Sequence, residues 1–307
     1  MATKRIAAID CGTNSIRLLV SDIDGDIKTD LVREMRIVRL GQDVDKTGRL
    51  AEEAIARTVA AAKEYAAQIS EFGVETVRFC ATSATRDAAN AAEFADAIEA
   101  VLGVRPVVLS GDEEAAASFL GAARDLPALD EPVLVIDLGG GSTELVIGAG
   151  ETVQAARSLD IGSVRMTERH LHSDPPTASE VAACIDDIDS ALDASGLDLS
   201  SVQSVVGVAG TITTVVAHAL ALDGYDSARI HHASVPFGDI ARSCRTLAES
   251  SVAERRAYPF MHPGRADVIG GGALILDRIL RRLKHADPRL VTSEHDILDG
   301  IAWGMAV

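Results

Sequence analysis

The chain has 307 residues, of which 47% are hydrophobic and only 3% aromatic, and it carries a formal net charge of −17 at pH 7. This length is sufficient for two domains with separate cores, and the acidic balance excludes a general nucleic-acid-binding protein, which needs a basic face. A small polyanionic substrate is not excluded, because a local group of arginines can dominate the potential of its own binding site.

The cysteines and the apolar segments predict a cytoplasmic location. The N-terminus leads directly into a strand without a long apolar segment, which argues against a secretory signal. Residues 199–222 carry no full charge, but they contain glycines, threonines and a central turn, so they predict strand, loop and helix rather than a membrane span. No C-x-x-C pair or disulfide pattern is apparent among the four cysteines, Cys11, Cys80, Cys184 and Cys244.

The first half begins with "AAIDCGTNSIRLLVS" (residues 7–21), which predicts two strands joined by a tight polar loop. A turn at Asp24-Gly25 and a third strand, "MRIVRL", follow. Residues 50–73 predict an amphipathic helix that ends at Gly73, and "TVRFCATSATR" (76–86) predicts a buried strand leading into a helix. The polar segment "DLPALDEP" (125–132) marks a domain boundary.

The second half repeats this order. "VIDLGGGSTELVIG" (135–148) matches the first phrase at an offset of 127, so that Asp10 aligns with Asp137 and Ser15 with Ser142. "SVVGVAGTITT" (204–214) matches residues 76–86 at an offset of 128. A helix over 177–196 begins with Thr177 and Glu180 as a capping box. Two matches at nearly one offset indicate a duplicated module.

The duplication predicts two mixed α/β domains that face each other across a cleft, residues 1–124 and 125–307. The last segment, about 295–307, predicts a helix that can pack back on the first domain.

The glycine-rich loops predict phosphate binding. A glycine-rich turn exposes successive backbone N–H groups, and without side chains these can approach an anion closely. The hydroxyls of Thr13, Ser15, Ser142 and Thr143 add donors. The alternative interpretation is a plain hairpin turn, which the paired, acid-preceded form of the two loops disfavours.

Carboxylates flank the second loop. Asp137 precedes it and Glu144 follows it, so both can face one ion, and Mg²⁺ favours a few carboxylates together with phosphate oxygens and water. Asp10 takes the place of Asp137 in the first half and is a third candidate ligand. The alternatives are that Asp137 caps its own loop amides and that Glu144 is a solvated strand residue.

Further candidates follow the later strands. Asp112, Glu113 and Glu114 fall in the first turn of a helix, where acids are favoured by the helix dipole alone. One of the three can instead orient or deprotonate a water molecule, and spacing does not say which. Arg86 follows the "ATSAT" loop, where a phosphate clamp would be useful, and the alternative is an ordinary surface arginine. A second triple glycine, in "PGRADVIGGGALIL" (263–276), predicts a turn that either binds an anion at a helix N-terminus or allows close packing.

Taken together, "IDCGTNSIRLL", "ATSATRDA", "SGDEEA", "VIDLGGGSTELVIG", "GVAGT" and "PGRADVIGGG" resemble the exopolyphosphatase / guanosine pentaphosphate phosphohydrolase family of the actin-like ATPase and sugar kinase superfamily. The resemblance covers nearly the whole chain. It implies an α/β fold of two duplicated ribonuclease-H-like (actin-like) domains with mixed five-stranded sheets. Cys11 and Thr13 depart from the common residues at their positions, but neither removes a hydroxyl or a backbone donor.

The resemblance also implies roles for individual residues. Glu114 corresponds to the base acting on water, and Asp137 and Glu144 correspond to the magnesium and catalytic carboxylates, with Mn²⁺ as an alternative ion. The implied phosphate contacts are Gly12, Thr13, Asn14, Ser15, Arg86, Gly139, Gly140, Gly141, Ser142, Thr143, Gly210 and Thr211. Arg17, Arg165 and Arg265 are further candidates for guiding a polyanion, from their positions alone.

The expected activity is magnesium-dependent hydrolysis of the terminal phosphoanhydride of polyphosphate. Longer relatives carry additional C-terminal helical domains, so short to medium chains are the expected substrate. The first alternative is a guanosine pentaphosphate 5′-phosphohydrolase. Weaker alternatives are an ATP-dependent kinase or ATPase, since "VIGGG" resembles an adenosine-binding turn, and a non-catalytic phosphate or nucleotide sensor. We expect a homodimer without nucleic-acid or membrane partners.

Overall fold

A computed structural model describes residues 3–284 and 288–306 of the chain. These residues form two compact units. The first unit extends to Gly121 and includes the residues from Ile297 on, and the second unit is Ala122–Asp296. The division therefore falls three residues before the predicted boundary at 124/125, and the C-terminal helix belongs to the first unit. Residues 1, 2, 285–287 and 307 of the predicted domains lie outside the described residues.

Secondary structure follows the predicted order, with elements numbered along the described chain. The strands are β1 (Lys4–Cys11), β2 (Ser15–Asp24), β3 (Ile27–Ile37), β4 (Thr76–Ala81), β5 (Val107–Val108), β6 (Val133–Leu138), β7 (Thr143–Ala149), β8 (Thr152–Leu159), β9 (Ser204–Val208), β10 (Ser234–Pro236) and β11 (Arg289–Thr292). The helices are α1 (Val44–Thr47), α2 (Glu52–Glu71), α3 (Ser83–Arg86), α4 (Ala91–Leu102), α5 (Gly111–Ala123), α6 (Ser163–His170), α7 (Ala178–Ala194), α8 (Ala209–Ala219), α9 (Ser227–Ile230), α10 (Phe237–Glu249), α11 (Val252–Arg256), α12 (Ile269–Leu280) and α13 (Ile297–Gly304).

The sheet of the first unit has five strands in the order β3-β2-β1-β4-β5. The pairs β1–β2 and β2–β3 are antiparallel, whereas β1–β4 and β4–β5 are parallel. Alternate residues of β1 belong to different cores, with Ile9 on one face of the sheet and Ile6 on the other. One of these two cores contains Tyr65 of α2, and the other contains Trp303 of α13.

The sheet of the second unit repeats this order as β8-β7-β6-β9-β11 and adds β10 antiparallel to β11. It therefore has six strands, one more than predicted. The extra strand is the three-residue segment Ser234–Pro236, too short to give a period-two pattern in the sequence. The registers of the two halves coincide, because Asp10 pairs with Arg17 as Asp137 pairs with Glu144. The structure thus confirms two mixed α/β sheets.

Two helix predictions have clear outcomes. Thr177 and Glu180 form the predicted capping box at the start of α7. The second triple glycine, by contrast, is not a turn ahead of the helix: Gly270, Gly271 and Gly272 are buried and form the first turn of α12. A Cβ on Gly271 would lie 2.7 Å from Oγ1 of Thr167, so these glycines allow close helix packing.

Within the described residues, none of the helices is both long and apolar enough to cross a membrane.

Candidate active site

In the first unit, the candidate residues follow the carboxyl ends of three parallel strands, β1, β4 and β5. This edge of an open α/β sheet is where ligands usually bind. The register Asp10↔Cys80 places residues 12–15 beside the segment that begins at Thr82, and Leu109 donates its amide to Ala81 before α5 begins.

The loop formed by residues 12–15 is closed by a hydrogen bond from the amide of Gly12 to the carbonyl of Ser15, 2.9 Å. The carbonyl of Asn14 accepts hydrogen bonds from the backbone amides of Val38 and Arg39. Because a trans peptide unit holds its N–H opposite its C=O, the amide of Ser15 points away from these donors. Oδ1 of Asn14 is buried and has no hydrogen-bond partner among the described residues. Rotation of this amide group can present its NH₂ to an anion instead.

Glu114 differs from its two acidic neighbours because its side chain is buried. Glu113 accepts hydrogen bonds from the amide and the hydroxyl of Ser110, each 2.8 Å, and these bonds lower the pKa of Glu113. Glu113 is therefore a helix cap, and Asp112 is exposed. Glu114 is 7% exposed, and its Oε2 accepts a hydrogen bond from Nη1 of Arg86 at 3.0 Å. Glu114 is thus the acid held in place at the sheet edge.

In the second unit, the triple-glycine loop (residues 139–143) repeats the closing hydrogen bond, from the amide of Gly139 to the carbonyl of Ser142. The carbonyls of Gly139 and Gly140 accept the first amides of α6, at 2.8–3.1 Å. The carbonyl of Gly141 accepts Nε of Arg165 at 2.7 Å. With these carbonyls turned toward α6, the next amides point to the opposite side, and successive amides on one side form an anion-binding concavity.

A glycine after the third strand of each unit makes room for the loop. A Cβ on Gly162, just before α6, would lie 2.4 Å from the carbonyl carbon and oxygen of Gly140. In the first unit, a Cβ on Gly41 would lie 2.4 Å from Cγ2 of Thr13. Neither glycine was singled out from the sequence. A weak signal was present, because "LG" at 40–41 and "IG" at 161–162 each follow the third predicted strand of their half, although their offset, 162 − 41 = 121, differs from that of the loops.

Two buried carboxylates lie opposite each other on β6 and β7. Asp137 and Glu144 are directly paired in the antiparallel ladder, and they are 6% and 1% exposed. Directly opposed residues share one face of a sheet, where two like charges destabilise each other. The hydroxyl of Ser158 on β8 donates to Oε1 of Glu144 at 2.7 Å. Oxygen donors of this kind fit Mg²⁺, so the pair can hold the ion that the resemblance implies.

The same position in the first unit is different. Asp10 faces Arg17 rather than a carboxylate, and Nη2 of Arg17 lies 2.7 Å from Oδ2 of Asp10. The ion pair already compensates the charge of Asp10, so the donor set that suits a divalent ion is in the second unit. A role of Asp10 as metal ligand stays a prediction.

The N-terminus of α8 lies beside the triple-glycine loop, because Asp137 is in register with Val208 at the end of β9. Ala209 has a φ of +67°, a strained value for alanine that redirects the chain from β9 into α8. A Cβ on Gly210 would lie 2.0 Å from Nη2 of Arg265, whose Nη1 donates to Thr214. Helix amides and a guanidinium group together favour an anion.

Some predicted contacts are restricted by the structure. The hydroxyl of Thr143 donates to the carbonyl of Ile161 at 2.6 Å, so its proton is not available to a phosphate group. Thr13 forms a hydrogen bond with Ser83, a residue that was not predicted as a contact. The remaining predicted contacts lie on the loops described above, and their ligand roles stay predictions.

The chain is similar in sequence and in fold to known proteins. The profile of the Ppx/GppA phosphatase family matches residues 19–305. Exopolyphosphatase 2 of Mycobacterium tuberculosis is 48% identical over the full length of both chains. Guanosine-5′-triphosphate,3′-diphosphate pyrophosphatase of Vibrio cholerae is 37% identical over 56% of this chain and 35% of its own length. The crystal structure of an exopolyphosphatase-like protein, 45% identical, matches 99% of this chain and 98% of its own with a TM-score of 0.96.

Proposed function

Because the chain belongs to the Ppx/GppA phosphatase family, we propose that it hydrolyses the terminal phosphoanhydride bond of inorganic polyphosphate and releases phosphate. It is a phosphoanhydride hydrolase with the actin-like α/β fold of that family. The observation that carries the assignment of the site is the burial of Glu114 beside Arg86, together with the amides of the triple-glycine loop turned to one side.

In the second unit, the amides of residues 140–142 and the N-terminus of α8 are proposed to bind phosphoryl oxygens. Arg265 adds a guanidinium group next to Gly210. Asp137 and Glu144 would hold Mg²⁺, or Mn²⁺ in its place, and when bound the ion would neutralise charge on the phosphoryl oxygens. Ser158 orients Glu144 through its hydroxyl.

In the first unit, Glu114 is the proposed general base. Its carboxylate accepts a proton from water as the water oxygen bonds to the terminal phosphorus. The bond from that phosphorus to the bridging oxygen breaks, and the bridging oxygen leaves on the shortened polyphosphate. Arg86 fixes the position of Glu114 through one hydrogen bond and is itself fixed by the carbonyl of Leu109 at 2.9 Å.

Guanosine pentaphosphate is the second candidate substrate. It is favoured by the similarity to the Vibrio cholerae pyrophosphatase, which covers only part of either chain. An ATP-dependent kinase is disfavoured, because the glycines taken as an adenosine-binding turn are packed against Arg255, Thr167 and Thr211 in the first turn of α12. A non-catalytic sensor is disfavoured because Glu114, Asp137 and Glu144 are all present.

The test is phosphate release from short polyphosphate, long polyphosphate, guanosine pentaphosphate and ATP, with Mg²⁺, with Mn²⁺ and with a chelator. We expect the fastest release from short to medium polyphosphate and none with the chelator. Faster release from guanosine pentaphosphate would favour the second candidate. Binding of these ligands without release would favour the sensor.

We also propose a cytoplasmic homodimer. The four cysteines are free and buried, as is usual in a reducing compartment. Burial raises the pKa of Cys80 to about 11, so this thiol stays protonated at neutral pH.

The homodimer is tested separately. Light scattering coupled to size-exclusion chromatography measures the mass directly, and the mass of a single chain, 32.2 kDa, would contradict the dimer.

A further inference from the structure

A cluster of three histidines and one aspartate lies in the second unit, apart from the residues assigned above. Oδ2 of Asp125 is 2.8 Å from Nε2 of His231, 3.1 Å from Nδ1 of His295 and 3.6 Å from Nε2 of His232. Three ring nitrogens therefore converge on one carboxylate oxygen. The sequence alone does not reveal this cluster, because Asp125 and His295 are far along the chain from the histidine pair at 231 and 232.

His231 has a defined role in the cluster. Its Nδ1 accepts the backbone amide of Glu294 at 3.1 Å, so the ring proton is on Nε2. That proton is donated to Oδ2 of Asp125, at an ordinary hydrogen-bond distance of 2.8 Å. His231 thus orients the carboxylate of Asp125. The remaining lone pairs of the Asp125 oxygens can bind other partners.

The backbone at His232 is strained in a way that brings its ring into the cluster. Its φ of +60° lies in the left-handed region that non-glycine residues rarely adopt. Adjacent side chains of an extended chain diverge, but here the ring of His232 stacks on that of His231, with centroids 3.8 Å apart. Nε2 of His232 is buried and has no hydrogen-bond partner among the described residues. Strain of this kind is typical of functional positions.

The separations are short enough for several of these atoms to share one ion, since ligand atoms of Asp125, His231 and His232 lie within 4.8 Å of one another. Metal–nitrogen and metal–oxygen bonds of about 2.0–2.1 Å in a tetrahedral site place neighbouring ligand atoms about 3.3 Å apart. The distances from Asp125 to His295 and to His232, 3.1 and 3.6 Å, lie on either side of this value. The distance to His231 is shorter and is explained by its hydrogen bond.

We propose that Asp125, His232 and His295 bind a divalent transition-metal ion of the zinc type, with His231 orienting the carboxylate. Two imidazole nitrogens and one carboxylate oxygen suit Zn²⁺, Co²⁺ or Ni²⁺ better than Mg²⁺, which prefers oxygen. The side chain of Asp125 is 44% exposed, so water can reach the site and complete the coordination. The site is distinct from the oxygen-only pair Asp137 and Glu144.

The test is isothermal titration of metal-free protein with Zn²⁺, and titration with Co²⁺ followed by its visible absorption. We expect one Zn²⁺ per chain, with Co²⁺ bands of a nitrogen- and oxygen-ligated site. The central variant is His232→Gly, because glycine adopts the same φ without strain and removes only the imidazole. It should fold at least as well as the wild type by circular dichroism and lose the zinc site, as should Asp125→Asn.

Two controls locate the ion. Glu144→Gln and His172→Ala, the latter an exposed histidine elsewhere in the unit, should bind Zn²⁺ as the wild type does. His231→Asn should weaken binding by about 10- to 100-fold, the effect of losing an orienting partner. Unchanged zinc affinity in folded His232→Gly and Asp125→Asn, absence of zinc binding by the wild type, or loss of the ion in either control would each overturn the proposal.

Discussion

The residue at one register position distinguishes the two halves of the chain. Asp10 and Asp137 end equivalent strands, but the first faces Arg17 and the second faces Glu144. One pair neutralises itself, whereas the other concentrates negative charge in a buried place. The opposed carboxylates that suit a divalent ion therefore lie on β6 and β7 of the second unit, and a role of Asp10 as metal ligand stays a prediction.

Substitution of Ser158 tests this arrangement, because it removes a single hydrogen bond to Glu144. Ser158→Ala removes the hydrogen bond to Oε1 of Glu144 and should raise the Mg²⁺ concentration for half-maximal phosphate release by about 10-fold, because orienting partners tune ligands. Glu144→Gln should raise it further. The matched control is Ser201→Ala, an exposed serine. An unchanged Mg²⁺ dependence in Ser158→Ala and Glu144→Gln would contradict the assignment.

Site residues were predictable from the sequence only in part. The three acids at 112–114 were equivalent by spacing, and the family resemblance selected Glu114. The structure gives a physical reason for the distinction, since Glu113 caps the helix and Glu114 is buried beside Arg86. Ser158 could not be found, because its partner Glu144 is on a neighbouring strand and cross-strand contacts leave no local pattern.

At the scale of elements, α6 supports the triple-glycine loop through backbone contacts. Gly162→Ala would place a methyl group 2.4 Å from the carbonyl of Gly140 and force the loop to move. Misplacement by about 1 Å can cost about 100-fold in rate, so we expect a decrease of this size in phosphate release.

Gly224→Ala is the control for Gly162→Ala, because a Cβ there meets no atom within 4 Å. Circular dichroism should show both variants folded. If Gly162→Ala is folded and fully active, the loop does not need its contact with α6.

The C-terminal helix α13 packs closely on α5, the helix that carries Glu114. A Cβ on Gly300 would lie 1.8 Å from the carbonyl oxygen of Ala117. Gly300→Ala should lower the free energy of unfolding by about 1–3 kcal/mol through overpacking, and should lower activity by displacing α5. Gly304→Ala, in the same helix but 3.9 Å from its nearest neighbour, is the control. Equal denaturation midpoints for the two variants would contradict this packing.

Charged residues of β3 also hold α13. Asp299 is fully buried and forms ion pairs with Lys28, at 3.0 Å, and with Arg33. Asp30 bridges the same two cations. Burial alone would raise the pKa of Asp30, but the hydrogen bond from Lys28 and the charges of Arg33 and Lys28 outweigh it, so the pKa is lowered.

A lowered pKa makes the contribution of Asp30 pH-dependent. It is complete above the unfolded pKa of about 3.9 and is lost as the pH falls through the lower folded value. Asp30→Asn should therefore be less stable than the wild type by on the order of 1 kcal/mol at neutral pH, with the difference shrinking below pH 4. Urea denaturation at several pH values measures this. A difference independent of pH would contradict it.

Elements were more predictable than their contacts. The repeat at offsets of 127 and 128 predicted that the strands of the two halves follow the same order along the chain, and the capping box predicted the start of α7. The triple glycine at 270–272 was misinterpreted as a turn because glycine at a helix crossing and glycine in a turn have the same sequence pattern. Gly300 was missed for a similar reason, since close helix approach depends on tertiary structure.

At the scale of the whole molecule, an acidic chain is proposed to act on a polyanion. The net charge of −17 would oppose such a substrate if charge were spread evenly. The arginines on the candidate loops donate to backbone or hydroxyl oxygens, and the first of them also donates to the carboxylate of Glu114; they are Arg86, Arg165 and Arg265. We therefore expect local guanidinium groups and oriented amides to decide the interaction with a polyanion.

The central claim is that Glu114 activates water for attack on a terminal phosphoryl group. The most direct measurement is phosphate release from short polyphosphate by the wild type, Glu114→Gln and the neighbouring control Glu113→Gln, with substrate affinity measured in parallel by calorimetry. We predict a decrease of about 10²- to 10⁴-fold in kcat for Glu114→Gln, with affinity retained, and near wild-type turnover for Glu113→Gln. Full turnover by a folded Glu114→Gln variant would contradict the account.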